Sequence, residues 1–239
     1  FPSFKMLITR LDKEIGFINP YELESFFSGG KNIDSKKILL TFDDGFKSNY
    51  FLAKSILDPI NIKSICFVNP NFAQLENRSE QIQFMKNNLL VENSKLDNPE
   101  MRPMSFADMI NLVKNGHIIG SHTMNHRRLS ELQSQKDLYN EIVSSKLVLE
   151  KKIKNKIEHF AFPFGDINSI SSTAMKLASE SYRYVYSGVR GLNTLQVNKH
   201  ALRREPLHLT NNIYYNMFVT NNGIAFKDKK ARHRLDTIL

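Results

Sequence analysis

The chain has very little cysteine. Cys66 is the only one in 239 residues, so no intrachain disulfide can form. It lies in the apolar run Ile65-Cys66-Phe67-Val68, which points to a buried structural thiol rather than a nucleophile. Lack of disulfides fits a reducing, cytoplasmic compartment. The chain opens on Phe1-Pro2-Ser3 without Met, so a targeting segment could precede it and an envelope location stays open. Long hydrophobic runs are also missing. Ile38–Leu40 and Ile65–Val68 are strand-sized and far short of the ~20 apolar residues that span a bilayer. There is no internal repeat and no low-complexity linker. There is no Gly-rich phosphate loop, no Gly-x-Ser-x-Gly nucleophile turn and no nucleic-acid-binding motif.

What remains is a chain with 41% hydrophobic and 24% charged residues, enough for a core and a solvated surface. Its length suits one α/β domain over residues 1–239. The net charge is +9, and part of it is local. Residues 227–239 hold five Lys/Arg against two Asp, and Lys151, Lys152, Lys154 and Lys156 form a second cluster. The plain reading is a solvated basic tail and a solvated helix end. The functional reading is weak association with an anionic surface. A nucleic-acid partner is not expected, because no recognition motif accompanies the charge.

Short apolar runs alternate with amphipathic stretches. Strands are expected at Lys37–Phe42, Ser64–Val68, His117–Gly120, His159–Phe162 and Tyr182–Ser187. Helices are expected at Phe46–Leu57, from Ser105 to about Asn115, at Ser130–Lys154 and at Ser171–Glu180. Ser105 and Asp108 form a capping pattern. Residues 69–103, polar and Asn-rich, read as a long excursion with one helix near 79–90. This alternation predicts a parallel α/β sheet or barrel, where reactive groups gather at the C-terminal strand ends.

The polar motifs sit at such ends. Asp43-Asp44-Gly45 follows Lys37–Phe42. Two adjacent carboxylates there repel each other and lose hydration, which a cation would offset. On a strand they point to opposite sides, so one can ligate a metal while the other stands free as a base. Helix capping and a turn is the competing reading. Ser121-His122-Thr123-Met124-Asn125-His126 follows the third strand. On a helical turn, His122 and His126 would share a face, a spacing that suits zinc and similar metals. Two His and one Asp leave coordination positions open, as a catalytic site requires and a structural zinc site does not. Pro163-Phe164-Gly165 ends the fourth strand. His208 is ambiguous between a structural residue and a catalytic acid. His117 begins a strand, His159 reads as structural with orienting near the site as the alternative, and His200 and His233 read as exposed.

These motifs resemble those of the polysaccharide deacetylase (NodB-homology) family. Thr41-Phe42-Asp43-Asp44-Gly45 matches the first motif in full. His122-Thr123-Met124-Asn125-His126, with Leu129 after it, matches the second, and Pro163-Phe164-Gly165 resembles the third. The similarity spans roughly residues 37–190, with the motif-bearing core within 37–210. It implies an irregular (β/α) barrel of the NodB type. It also implies Asp43 as base, Asp44, His122 and His126 as metal ligands, and Pro163, Phe164 and Gly165 lining the sugar site. The metal would be zinc, with cobalt, nickel or manganese as alternatives. Many relatives carry an Arg two residues before the Pro of the third motif. Ala161 stands there, and Arg204 would serve in its place. His208 would be the acid, unless a His before Phe1 fills that role. The reaction expected is removal of an N-acetyl or other N-acyl group from an amino sugar or polysaccharide. Two alternatives are an amidohydrolase acting on a small ureide-like amide and a non-catalytic carbohydrate-binding relative.

Overall fold

Ser64–Val68 is buried at every position, because apolar side chains on both faces have somewhere to go (β2). It lies within a sheet whose other strands are Leu40–Phe42 (β1), Ile118–Ser121 (β3), His159–Ala161 (β4) and Tyr184–Tyr186 (β5). In a computed structural model describing residues 2–29 and 35–238, all neighbours pair in parallel in the order β1-β2-β3-β4-β5. Sequential parallel order means every crossover returns in the same sense, so the sheet curls into a half-barrel. The ends of the expected domain, Phe1 and Leu239, lie outside the described residues.

Helices follow in chain order: Pro2–Glu14 (α1), Pro20–Phe27 (α2), Lys47–Leu52 (α3), Pro70–Ala73 (α4), Arg78–Asn87 (α5), Asn93–Leu96 (α6), Phe106–Lys114 (α7), Gln135–Tyr139 (α8), Ser145–Ile153 (α9), Ser172–Ser181 (α10), Ile213–Thr220 (α11) and Lys229–Asp236 (α12). The strands divide their side chains by alternation. Cys66, Val68, Ile119, Phe160 and Val185 join helical residues such as Met109, Leu112, Ile142, Leu149 and Ala178 in the main core. Ile65, Phe67, Ala161, Tyr184 and Tyr186 fill the other face, closed over by Leu23 and Phe27 of α2. Cys66 is a free, fully buried thiol, and burial pushes its pKa up to about 12. Gly120 is required here, since a Cβ would sit 2.5 Å from the Phe67 ring.

Several expectations are corrected. Lys37–Phe42 pairs with β2 only over Leu40–Phe42, because Ile38 bridges Phe17 instead. The helix expected from Ser130 begins at Gln135, where Ser134 accepts from the Asp137 amide. Between α8 and α9 it widens to a π turn over Asn140–Ser144. The excursion carries three short helices rather than one. The basic tail is not simply solvated. It folds into α12, whose Leu235 is fully buried in the main core. The Ser105–Asp108 capping box forms as expected. Among the described residues, no helix is long and apolar enough to cross a membrane.

Candidate active site

β1 stops at Phe42, and the next residues turn sharply. Asp44 and Gly45 both take left-handed backbone, φ 69° and 73°. A Cβ on Gly45 would lie 3.0 Å from Val68, so the position needs glycine for space as well as for its dihedral. This turn replaces the strand alternation expected for the two carboxylates and brings both toward one point. Asp44 Oδ1 lies 3.3 Å from His126 Nε2 and 3.6 Å from His122 Nε2, and Asp43 Oδ2 lies 4.0 Å from His122 Nε2.

The two His do not share a helical turn either. The His122 amide donates to Val68 O just past β3, and the chain then loops through left-handed Thr123 (φ 65°) and His126 (φ 58°). The Thr123 hydroxyl accepts from the His126 amide at 2.9 Å and closes the loop. Each imidazole is aimed by a carbonyl: His122 Nδ1 is 2.8 Å from Ala161 O and His126 Nδ1 is 2.8 Å from Asn88 O. A carbonyl only accepts, so Nδ1 carries the hydrogen and the Nε2 lone pair faces Asp44. Asp44, His122 and His126 thus present one oxygen and two nitrogens, all within 4.8 Å of one another.

Burial and the nearby His122 push His126 down to about 3, and burial also lowers His122, so both rings are neutral donors. Burial and the adjacent Asp43 charge push Asp44 up to about 7. A carboxylate so destabilised beside two neutral imidazoles is a donor set short of positive charge. It fits a divalent cation of the borderline kind that accepts mixed nitrogen and oxygen ligands.

Asp43 behaves in the opposite way. Burial, the largest influence, would raise it, but the charge and hydrogen bond of Arg204, with smaller contributions from His122 and His126, together hold the carboxyl below the usual carboxylate range. Arg204 Nη1 reaches Asp43 Oδ1 at 2.6 Å while Nε donates to Ser187 O at 2.9 Å. Oδ1 is therefore engaged and Oδ2 faces His122. Arg204, expected in place of an Arg at position 161, contacts Asp43, and the Ala161 carbonyl faces His122 Nδ1.

Of Pro163-Phe164-Gly165, Phe164 lies against the site. Phe164 (φ 62°) packs edge-on against His126 with ring centroids 4.9 Å apart, and Arg128 stacks on its ring at 4.2 Å. Gly165 (φ 68°) abuts Gly188 so closely that a Cβ would stand 2.5 Å from the Gly188 nitrogen. A cleft opens beside His126 between Asn88, Arg127 and Phe164. His208 is exposed after β5. Its carbonyl accepts from Asn211 and Asn216, and its imidazole touches none of these site residues among the described residues. His117 and His159 are buried and structural, the first on Asp58 and the second stacked on Tyr184. His233 is exposed as expected, but His200 is half-buried.

Sequence reasoning missed four supporting residues. Asn69 donates to the carbonyls of His122 and Thr123. Asn88 and Asn125 bond next to His126, and the Glu141 carboxylate, 1% exposed, holds Asn125. The Asn-rich character of residues 69–103 was the only signal for two of them.

Among curated proteins, none matches the chain. Solved structures do. The Streptococcus pyogenes deacetylase PplD, in complex with acetate, superposes with TM-score 0.69 at 18% identity, over 91% of this chain and 85% of that one. The Bacillus cereus polysaccharide deacetylase BC0361 gives 0.68 at 16% identity, over 92% and 61%. The Bordetella bronchiseptica BpsB deacetylase domain gives 0.64 at 18% identity, over 80% and 79%. At such identities the likeness is one of fold. The model of the polysaccharide deacetylase family matches residues 30–182, well over half the sequence and inclusive of all three strand-end motifs, and by that match the chain belongs to the polysaccharide deacetylase family.

Proposed function

We propose that this protein is a metal-dependent hydrolase that removes an N-acetyl or other N-acyl group from an amino sugar or polysaccharide. Membership of the family supports de-N-acetylation and a carbohydrate substrate. The observation that carries the finer reading is the convergence of Asp44 Oδ1, His122 Nε2 and His126 Nε2, with Asp43 Oδ2 4.0 Å from His122 Nε2. Asp44, His122 and His126 would hold a divalent metal, zinc by ligand type, with cobalt, nickel or manganese also compatible. When bound, that ion supplies Lewis acidity and makes water a nucleophile near neutral pH.

The chain's own residues do the rest. Asp43, ionised through Arg204, takes a proton on Oδ2 as water adds to the acyl carbon. The Phe164 backbone N–H is the proposed donor to the developing oxyanion. Pro163, Phe164 and Gly165 form the wall for the sugar. As the C–N bond breaks, the departing amine needs a proton. Among the described residues no bond joins the His208 imidazole to the site, and the proton collected by Asp43 is the donor this reading assigns in place of His208. The free amine leaves, and the carboxylic acid formed gives its remaining proton to solvent and leaves as carboxylate.

The test is acetate release from N-acetylated oligosaccharides by zinc- or cobalt-loaded protein, with Asp43→Asn and His126→Ala as variants. Both variants should lose nearly all activity. Turnover of a cyclic ureide without acetate release would overturn the sugar reading. Metal uptake with binding but no hydrolysis would favour the non-catalytic relative.

A further inference from the structure

Every polar group of Asn125 is engaged. Its amide N–H and side-chain Nδ2 both donate to the Glu141 carboxylate, at 2.9 and 2.8 Å. Its Oδ1 accepts from Asn71 Nδ2 at 2.6 Å, and its carbonyl accepts from Asn88 Nδ2 at 2.8 Å. Asn71 and Asn88 belong to the excursion, and Glu141 lies in the π turn between α8 and α9. The next residue is His126, whose Nδ1 bonds the carbonyl of the same Asn88. The Glu141 carbonyl also accepts from Met124 N at 3.0 Å.

A carboxylate buried to this degree needs strong donors, and both of its recorded donors come from one residue. The wider π turn carries Glu141 in the helix segment that faces the His loop, and such single-turn bulges are frequent at functional sites. The bonds form a closed circuit from Glu141 to Asn125, to Asn88, to His126. Through these bonds each member is tied to the His126 ring.

Resting on the metal-site reading above, we infer that Glu141 is a positioning residue for the metal centre. Acting through Asn125 and Asn88, it sets the His126 ring, and the same bonds couple the order of the excursion, residues 69–103, to occupancy of the centre. The coupling is reciprocal: what orders the excursion tightens the metal, and the metal orders the excursion.

The experiment uses Co²⁺ as probe, in wild type, Glu141→Gln, Asn88→Ala and Leu149→Ala. Leu149 is a buried core residue of α9 without a bond to the circuit, and it reports plain loss of stability. Glu141→Gln should weaken Co²⁺ by about 10–100-fold, the usual effect of removing an outer partner of a ligand, and shift its visible absorption band. Asn88→Ala keeps the carbonyl and should lose less, which preserves the test if Glu141→Gln does not fold. Leu149→Ala should lower stability and leave affinity and spectrum unchanged. Amide exchange in residues 78–88 should slow when Co²⁺ is added to wild type and much less in Asn88→Ala. Wild-type affinity and spectrum in both circuit variants, or exchange in 78–88 indifferent to Co²⁺, would overturn the inference. A wild-type protein that bound no Co²⁺ would instead overturn the metal-site reading beneath it.

Discussion

Replacing Arg204 separates the charge that Asp43 needs from the hold that aims it. Arg204 is mostly buried, with its side chain 16% exposed, whereas that of Asp43 is 37% exposed. A hydrogen bond to a charged group contributes about 1.5–3 kcal/mol, and solvent access to Asp43 selects the lower end, about 1.5 kcal/mol. Losing that interaction disfavours the charged form, so Arg204→Met should raise the Asp43 pKa. The sign follows from direction: Asp43 is held low in the native protein, and removing the cation makes ionisation harder. The acid limb of kcat/KM for acetate release should therefore move to higher pH. Above the limb, the rate should still fall, by as much as ~100-fold, because Oδ1 loses its anchor and small misplacements are costly. Arg204→Lys keeps the charge but cannot also satisfy Ser187 O in the same fork. Its limb should stay in place while its plateau drops. The assay is a pH profile of metal-saturated enzyme carried down to about pH 3, because the Asp43 limb lies below the ordinary carboxylate range. An unmoved limb in Arg204→Met, or a wild-type plateau in Arg204→Lys, would refute this account.

Other outcomes follow from the same geometry. A proton and a metal compete for Asp44, whose pKa without metal is about 7, so metal affinity should fall up to tenfold per pH unit below that value. His126, at about 3, adds little to this competition, and chelator titrations giving equal affinity at acidic and neutral pH would contradict it. Gly165→Ala adds a left-handed alanine, at roughly 1–2 kcal/mol, and an overpacking of roughly 1–3 kcal/mol against Gly188. Urea unfolding should show a loss of about 2–5 kcal/mol, and a loss below ~1 kcal/mol would mean the backbone there yields easily. Leu235→Ala should cost about 2–5 kcal/mol by thermal or urea unfolding, whereas a solvated tail would show no change.

How far the sequence could be read depends on how local each feature is. Ser64–Val68 was legible to the residue because a strand buried on both faces is apolar throughout. The Ser105 cap was legible because its partner is three residues away. Asp43, Asp44, His122 and His126 were legible as residue types at strand ends. Their backbone was not, since a helical His pair and an alternating Asp pair are regular shapes and the structure uses irregular ones. Arg204 and Asp43 are 161 residues apart, and only the family resemblance joined them. The bond from Glu141 to Asn125 has no local signature, so Glu141 read as an ordinary polar helix position. α12 was hidden because one buried leucine anchors a helix that is otherwise strongly basic.

Asp44, Thr123, His126 and Phe164 all adopt left-handed backbone without being glycine. Each such residue is disfavoured by roughly 1–2 kcal/mol on its own. The three motifs are therefore shapes as much as sets of side chains. Grafting an Asp and two His at matching distances onto ordinary strands or helices of another scaffold would reproduce the atoms without the kinks that aim them. A portable version of this centre would have to carry its loops along with their supports, down to the asparagines and the glutamate that keep them bent.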